Sequence, residues 1–107
     1  MSVRVELLLG DIAYQLRGGD SEGAESAVHT LAELIDAREI SLDGAAAARL
    51  MDDLRRKRQF DLMIMLSDAL ERVGAATLAV RSSRAQAQID KGALDDAIAL
   101  KQREQAH

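Results

Sequence analysis

LRRKRQFDLMIMLSDAL, residues 54–70, is the stretch around which the rest of the chain is organised. Wound at about 100° per residue, a helix over residues 60–73 gathers Leu62, Met63, Leu66, Ala69, Leu70 and Val73 on one broad face. Phe60 and Ile64 lie on a second face nearly opposite, with Glu71 between them. Asp61, Asp68 and Arg72 occupy the narrow strip that separates the two. A surface helix needs only one apolar stripe, so a helix that is apolar on two sides is packed from two sides. The spacing predicts a central helix.

Composition sets the class. The chain has 107 residues, no proline and no cysteine, and its only aromatic residues are Tyr14 and Phe60. Abundant alanine and leucine without proline favour helix almost throughout, so the expected fold is all-α in a single domain. The core is aliphatic and methionine-filled, which packs adaptably. Without cysteine there is no disulfide framework and no thiolate chemistry, and a cytoplasmic setting is expected. No apolar run approaches the roughly 20 residues of a membrane span, so no membrane association is expected. Residues 1–48 carry nine acids and three bases, and residues 49–107 carry nine acids and eleven bases. That asymmetry reads first as solvated surface, and second as a means of orienting a partner or a neighbouring copy.

Outward from the central helix, the periodicity predicts six helices. Helix one covers residues 3–16, with Val5, Leu8, Leu9, Ile12 and Leu16 facing inward and Gly18-Gly19 as its stop. Helix two is capped by Asp20 or Ser21 and buries Ala24, Ala27, Val28, Leu31, Leu34 and Ile35. Helix three, residues 44–56, is capped by Ser41 or Asp43 and buries Ala46, Ala47, Leu50, Met51 and Leu54. Gly74 closes helix four as a left-handed cap. Helix five, residues 75–90, presents Leu78, Ala79, Ser82, Ala85 and Ile89 as a thin small-residue face. Gly92 breaks it, and helix six, residues 94–104, buries Leu94, Ala97, Ile98 and Leu100.

An internal spacing adds a family resemblance. Phe60 and Leu94 stand 34 residues apart, and Met63 and Ala97 keep the same offset. Ala85, Gly92, Leu94 and Ala97 resemble the core positions of a tetratricopeptide repeat: a small residue in the first helix, a turn glycine, an apolar residue and an alanine. In a degenerate copy at residues 51–70, Met51, Arg58 and Met63 stand at the small, glycine and alanine positions. The resemblance implies a short α-solenoid: a divergent pair over residues 1–40, a degenerate repeat over 44–74, and a further, truncated repeat over 75–107. The wording RRKRQFDLMIML also resembles helical stretches that precede such repeats in bacterial multidomain proteins, some joined to peptidase modules. Six short helices with RQFDL at Arg58–Leu62 are similar, in turn, to compact death-fold adaptor domains that act by homotypic self-association.

Reactive constellations are absent from the pattern, so no enzyme activity, cofactor or metal is expected. His29 has no second histidine at ligand spacing and reads as a structural side chain, and His107 is terminal. The pairs Asp52-Asp53 and Asp95-Asp96 diverge by about 100° on a helix and cannot converge on one substrate atom. Asp52 and Asp53 pair instead with Arg56 and Lys57 four residues on, and Asp95-Asp96 suit a first helical turn after Gly92. Ser82-Ser83 lacks a partner histidine, and Gly18-Gly19 lacks a phosphate-loop setting. Arg55-Arg56-Lys57-Arg58 reads first as helix-end capping and second as a contact for an acidic partner. Nucleic acid is disfavoured by the net charge of −4 and the lack of aromatic stacking platforms. The solenoid resemblance implies that Arg49, Asp52, Asp53, Arg56, Arg81, Arg84 and Gln88 line a groove for a partner peptide or helix of acidic character. Weakly capped final turns make a homo-oligomer the competing expectation.

Overall fold

In the computed structural model, which describes residues 3–105, the chain forms five helices and no strand. They are α1 (Val3–Arg17), α2 (Ser21–Asp36), α3 (Gly44–Arg56), α4 (Phe60–Arg72) and α5 (Leu78–Gln105). Local chemistry explains most of the boundaries. Asp20 and Asp43 cap α2 and α3, their carboxylates accepting from the amides of Gly23 at 2.9 Å and Ala46 at 2.8 Å. The Thr77 hydroxyl accepts from the Val80 amide at 3.2 Å and starts α5. Leu42, just before the α3 cap, is buried and Ile40 is half-buried, as a staple requires.

The first four helices all stop in the same way. The amides of Asp20, Glu39, Gln59 and Ala75 donate to the carbonyls of Gln15, Leu34, Leu54 and Leu70, each five residues back, at 2.8–3.0 Å. The residue before each donor has a positive φ: Gly19 (+75°), Arg38 (+58°), Arg58 (+55°) and Gly74 (+73°). Arg58 therefore adopts a glycine-like conformation. A side chain in this region costs about 1–2 kcal/mol, and glycine returns part of that in unfolded-state entropy. Arg38→Gly is accordingly expected to raise the melting temperature by about 2–6 °C; an unchanged or lower value would show that Arg38 has compensating contacts.

The helix faces follow the periodicity as far as α4. Val5, Ile12 and Leu16 are buried, as are Ala24, Val28, Leu31 and Ile35, and all five inward residues of α3 are buried. On α4, Leu62, Met63, Leu66, Ala69 and Leu70 are buried together with Phe60, while Ile64 is half-buried. This helix packs against α2, α3 and α5, which is why it is apolar on more than one side. Buried Ser67 donates its hydroxyl to the Ile64 carbonyl at 2.9 Å, so its burial leaves no unpaired group.

Two expectations are corrected by the second half of the chain. Helices five and six are one rod of 28 residues, with Gly92 in its interior. Glycine costs only about 1 kcal/mol in a helix, and Gly92 has no positive φ that would end it. Asp95 and Asp96 consequently sit in mid-helix and not in a first turn. The buried face of α5 also differs: Val80 and Ala87 are buried, whereas Leu78 (80 % exposed), Ala79, Ser82, Ala85 and Ile89 face solvent. Three ion pairs explain the choice. Lys91 meets Asp61 at 2.6 Å, Arg84 meets Asp68 at 2.7 Å and Arg81 meets Glu71 at 2.6 Å. Their order sets α5 antiparallel to α4 and turns Val80 and Ala87 inward. Asp61 holds the Lys91 ammonium above its usual pKa by hydrogen bonding.

Helices two apart in the chain run in the same direction. The α2 and α4 ends are tied by Arg72, which donates Nε and Nη2 to the two Asp36 carboxylate oxygens at 2.8 Å each. That guanidinium holds the Asp36 carboxyl below the usual carboxylate range. A Cβ on Gly44, at the start of α3, would lie 3.1 Å from Thr77 before α5, and Arg55 approaches Asp90 at 3.7 Å further along both helices. The molecule measures 55 × 29 × 20 Å, with a radius of gyration of 15.0 Å. A compact chain of this length would have about 13 Å. The excess length comes from the far half of α5.

Candidate interaction surface

A groove runs between α1 and α3. One section, about 270 Å³, is lined by Leu9, Gly10, Ala13, Ala46, Leu50 and the residues Arg49 and Asp53. The adjoining section, about 230 Å³, shares Ala13 and Asp53 and ends at Leu16, Arg17, Arg56 and Lys57. Small residues open it: a Cβ added at Gly10 would meet nothing within 4 Å. The floor is apolar and one end is cationic, because α1 and α3 finish side by side there.

Within this cationic end only one ion pair forms among the described residues, Arg56 with Asp53 at 3.9 Å. It spans three residues instead of the four expected for Asp52–Arg56 and Asp53–Lys57. At that distance and exposure it contributes little to stability. Arg17 and Lys57 have no carboxylate within 4 Å among the described residues, so their charge is available to a ligand.

The seven groove residues expected from the sequence are divided by the fold. Arg49, Asp53 and Arg56 line the α1/α3 groove. Asp52 is exposed on α3 beside them in sequence, and Gln88 is exposed on α5. Arg81 and Arg84 are turned toward α4 and held by Glu71 and Asp68, with the Arg84 Nε buried and without an acceptor. The contribution of α1, from Leu9 to Arg17, was not read from the sequence. Its signal was the pair Gly10 and Ala13, small residues one turn apart on an otherwise large-residue helix.

His29 is exposed, and His107 lies outside the described residues. Among the described residues no group of three His, Cys, Asp or Glu side chains is placed to hold a metal ion. No described helix is long and apolar enough to cross a membrane. No protein-family model, curated protein or solved structure matches the chain.

Proposed function

We propose that this chain is a non-catalytic protein-interaction module, a short tetratricopeptide-like α-solenoid that binds an acidic peptide or helix along the α1/α3 groove. The observation that carries the binding reading is the apolar groove ending in Arg17, Arg56 and Lys57, of which Arg17 and Lys57 have no carboxylate within 4 Å among the described residues. An acidic segment with apolar side chains at helical spacing satisfies both halves of that surface.

The solenoid reading draws support from the stacking. Like-directed neighbours meet at intervals near the family's period: Gly44 with Thr77, Arg55 with Asp90, and Asp36 with Arg72. The central unit is α3 with α4, turned by Arg58 in the glycine conformation. The next unit keeps only its first helix, since α5 does not turn at Gly92. The compact death-fold reading has less support, because that bundle would need two helices where α5 is one. A cytoplasmic setting fits a chain without cysteine, and a link to a bacterial peptidase or effector rests on the RRKRQFDLMIML wording alone.

The test is fluorescence anisotropy with a labelled amphipathic helical peptide rich in glutamate and leucine. Replacing both Arg17 and Arg56 by glutamate is expected to weaken binding at least about tenfold, the effect of losing roughly 1.4 kcal/mol of charge-assisted contact. Replacing both Arg81 and Arg84 by glutamate should instead lower the melting temperature by freeing α5 from α4. Equal peptide affinity in wild type and the Arg17/Arg56 variant would dispose of the groove.

A further inference from the structure

Where α2 and α4 end, against the loop that leads into α3, lies a cavity of about 320 Å³, at the small end of the range for sites that hold a small molecule. Its floor belongs to the core: Ile35, Leu42 and Leu70 are buried, and Val73 is half-buried. Its rim is polar, with Arg38, Glu39 and Ser41 lining it. Glu39 faces Arg4 of α1 at 3.9 Å, whereas Arg38 has no carboxylate within 4 Å among the described residues. Between Ile40 and Leu42 the backbone is neither helix nor strand. The amides of Ile40, Ser41 and Leu42 and the Ser41 hydroxyl donate to no protein acceptor among the described residues. A cation beside free donors, over an apolar floor, suits an anionic head on an aliphatic body.

Backbone strain singles out Arg38 independently. The helices α1 and α4 stop on Gly19 and Gly74, which take a positive φ at no steric cost. At the same place α2 carries Arg38 with φ +58°. Glycine would close this turn equally well, so what the strained position retains is the guanidinium. Glu39 on the same rim selects the charge of the guest. A doubly charged phosphate would meet that carboxylate with one guanidinium to balance it, while a single carboxylate is matched by Arg38.

We infer that this cavity binds a monocarboxylate with an aliphatic body, its head on Arg38 and Ser41 and its tail against Ile35, Leu42 and Leu70. None of these residues lines the α1/α3 groove, so the inference goes beyond the peptide reading.

Titration with sodium octanoate below its micelle-forming concentration, followed through the amide resonances of the isotope-labelled chain, tests it. Saturable shifts are expected at Ser41, Leu42 and Val73. Octanamide has the tail without the charge, and acetate the charge without the tail; each should bind at least about tenfold more weakly. Arg38→Gly keeps the turn and removes the guanidinium. It should weaken octanoate binding about tenfold or more with no loss of melting temperature. Arg58→Gly makes the same change at the other end of α4 and should bind octanoate as wild type does. The inference is overturned if octanoate gives no saturable shifts, or shifts only residues of the α1/α3 groove. Equal binding of octanamide, or undiminished octanoate binding by Arg38→Gly, would overturn it as well. The glutamate- and leucine-rich peptide should bind Arg38→Gly unchanged; a loss there would merge the two sites and overturn the inference too.

Discussion

Leu66→Ala is expected to lower the free energy of unfolding by about 3–4 kcal/mol, the upper part of the range for a buried leucine that leaves a cavity. Leu66 is fully buried on α4, the helix that touches α2, α3 and α5. Helices on three sides cannot all close into the space left by one side chain, so little of the cavity is recovered. In a chain this size the melting temperature should fall by more than about 10 °C. Leu94→Ala supplies the internal comparison. Leu94 is 36 % exposed on the far half of α5, and its truncation should cost less than about 0.5 kcal/mol. Equal losses for the two leucines would mean that α5 is docked along its whole length.

Overpacking gives the second large effect. Ala69 on α4 is fully buried, and Ala69→Leu inserts three carbon atoms where no space exists. The expected cost is about 1–3 kcal/mol, read as a lower denaturation midpoint with an unchanged slope. Ala85→Leu is the matching control on α5. The helical period places Ala85 on an inward face, but in the folded chain it is exposed, so the larger side chain should be tolerated within about 0.5 kcal/mol. If Ala85→Leu proved as damaging as Ala69→Leu, the assignment of the α5 face would be wrong.

The difference between those two alanines shows how far the sequence could be read. On α2, α3 and α4 the apolar residues are numerous and their stripes unambiguous, so burial follows period. Ala46, Ala47, Leu50, Met51 and Leu54 are all buried where the spacing puts them. On α5 two faces compete, one with Leu78 and Ile89 and the other with Val80 and Ala87. Neither has enough apolar surface to win alone. Asp61, Asp68 and Glu71 on α4 decide by drawing Lys91, Arg84 and Arg81 to their side. Such a choice rests on residues 10 to 30 positions away in the chain, which no local pattern contains.

The candidate groove itself was not legible in the sequence. The repeat resemblance implied a groove shared by Arg49, Asp53 and Arg56 with Arg81, Arg84 and Gln88; in the fold the α3 residues line a groove with α1 instead. Its α1 wall required knowing that α1 and α3 lie side by side in the same direction. Arg81 and Arg84 had the right charge for a groove, but the acids of α4 use them for docking.

By itself, the sequence determined the all-helical class, the central place of residues 60–72, a cap for α2 at Asp20 or Ser21 and for α3 at Ser41 or Asp43, and stops at Gly18-Gly19 and Gly74; the structure selects Asp20, Asp43 and Gly19. These are short-range matters, settled within one or two turns by hydrogen bonding, backbone strain and the helical repeat. Only the tertiary structure decided that Gly92 ends nothing, which face of α5 is buried, and that residues 92–105 are exposed. A lone glycine costs a helix about 1 kcal/mol, too little to stop it without a cap or a neighbour that rewards the turn.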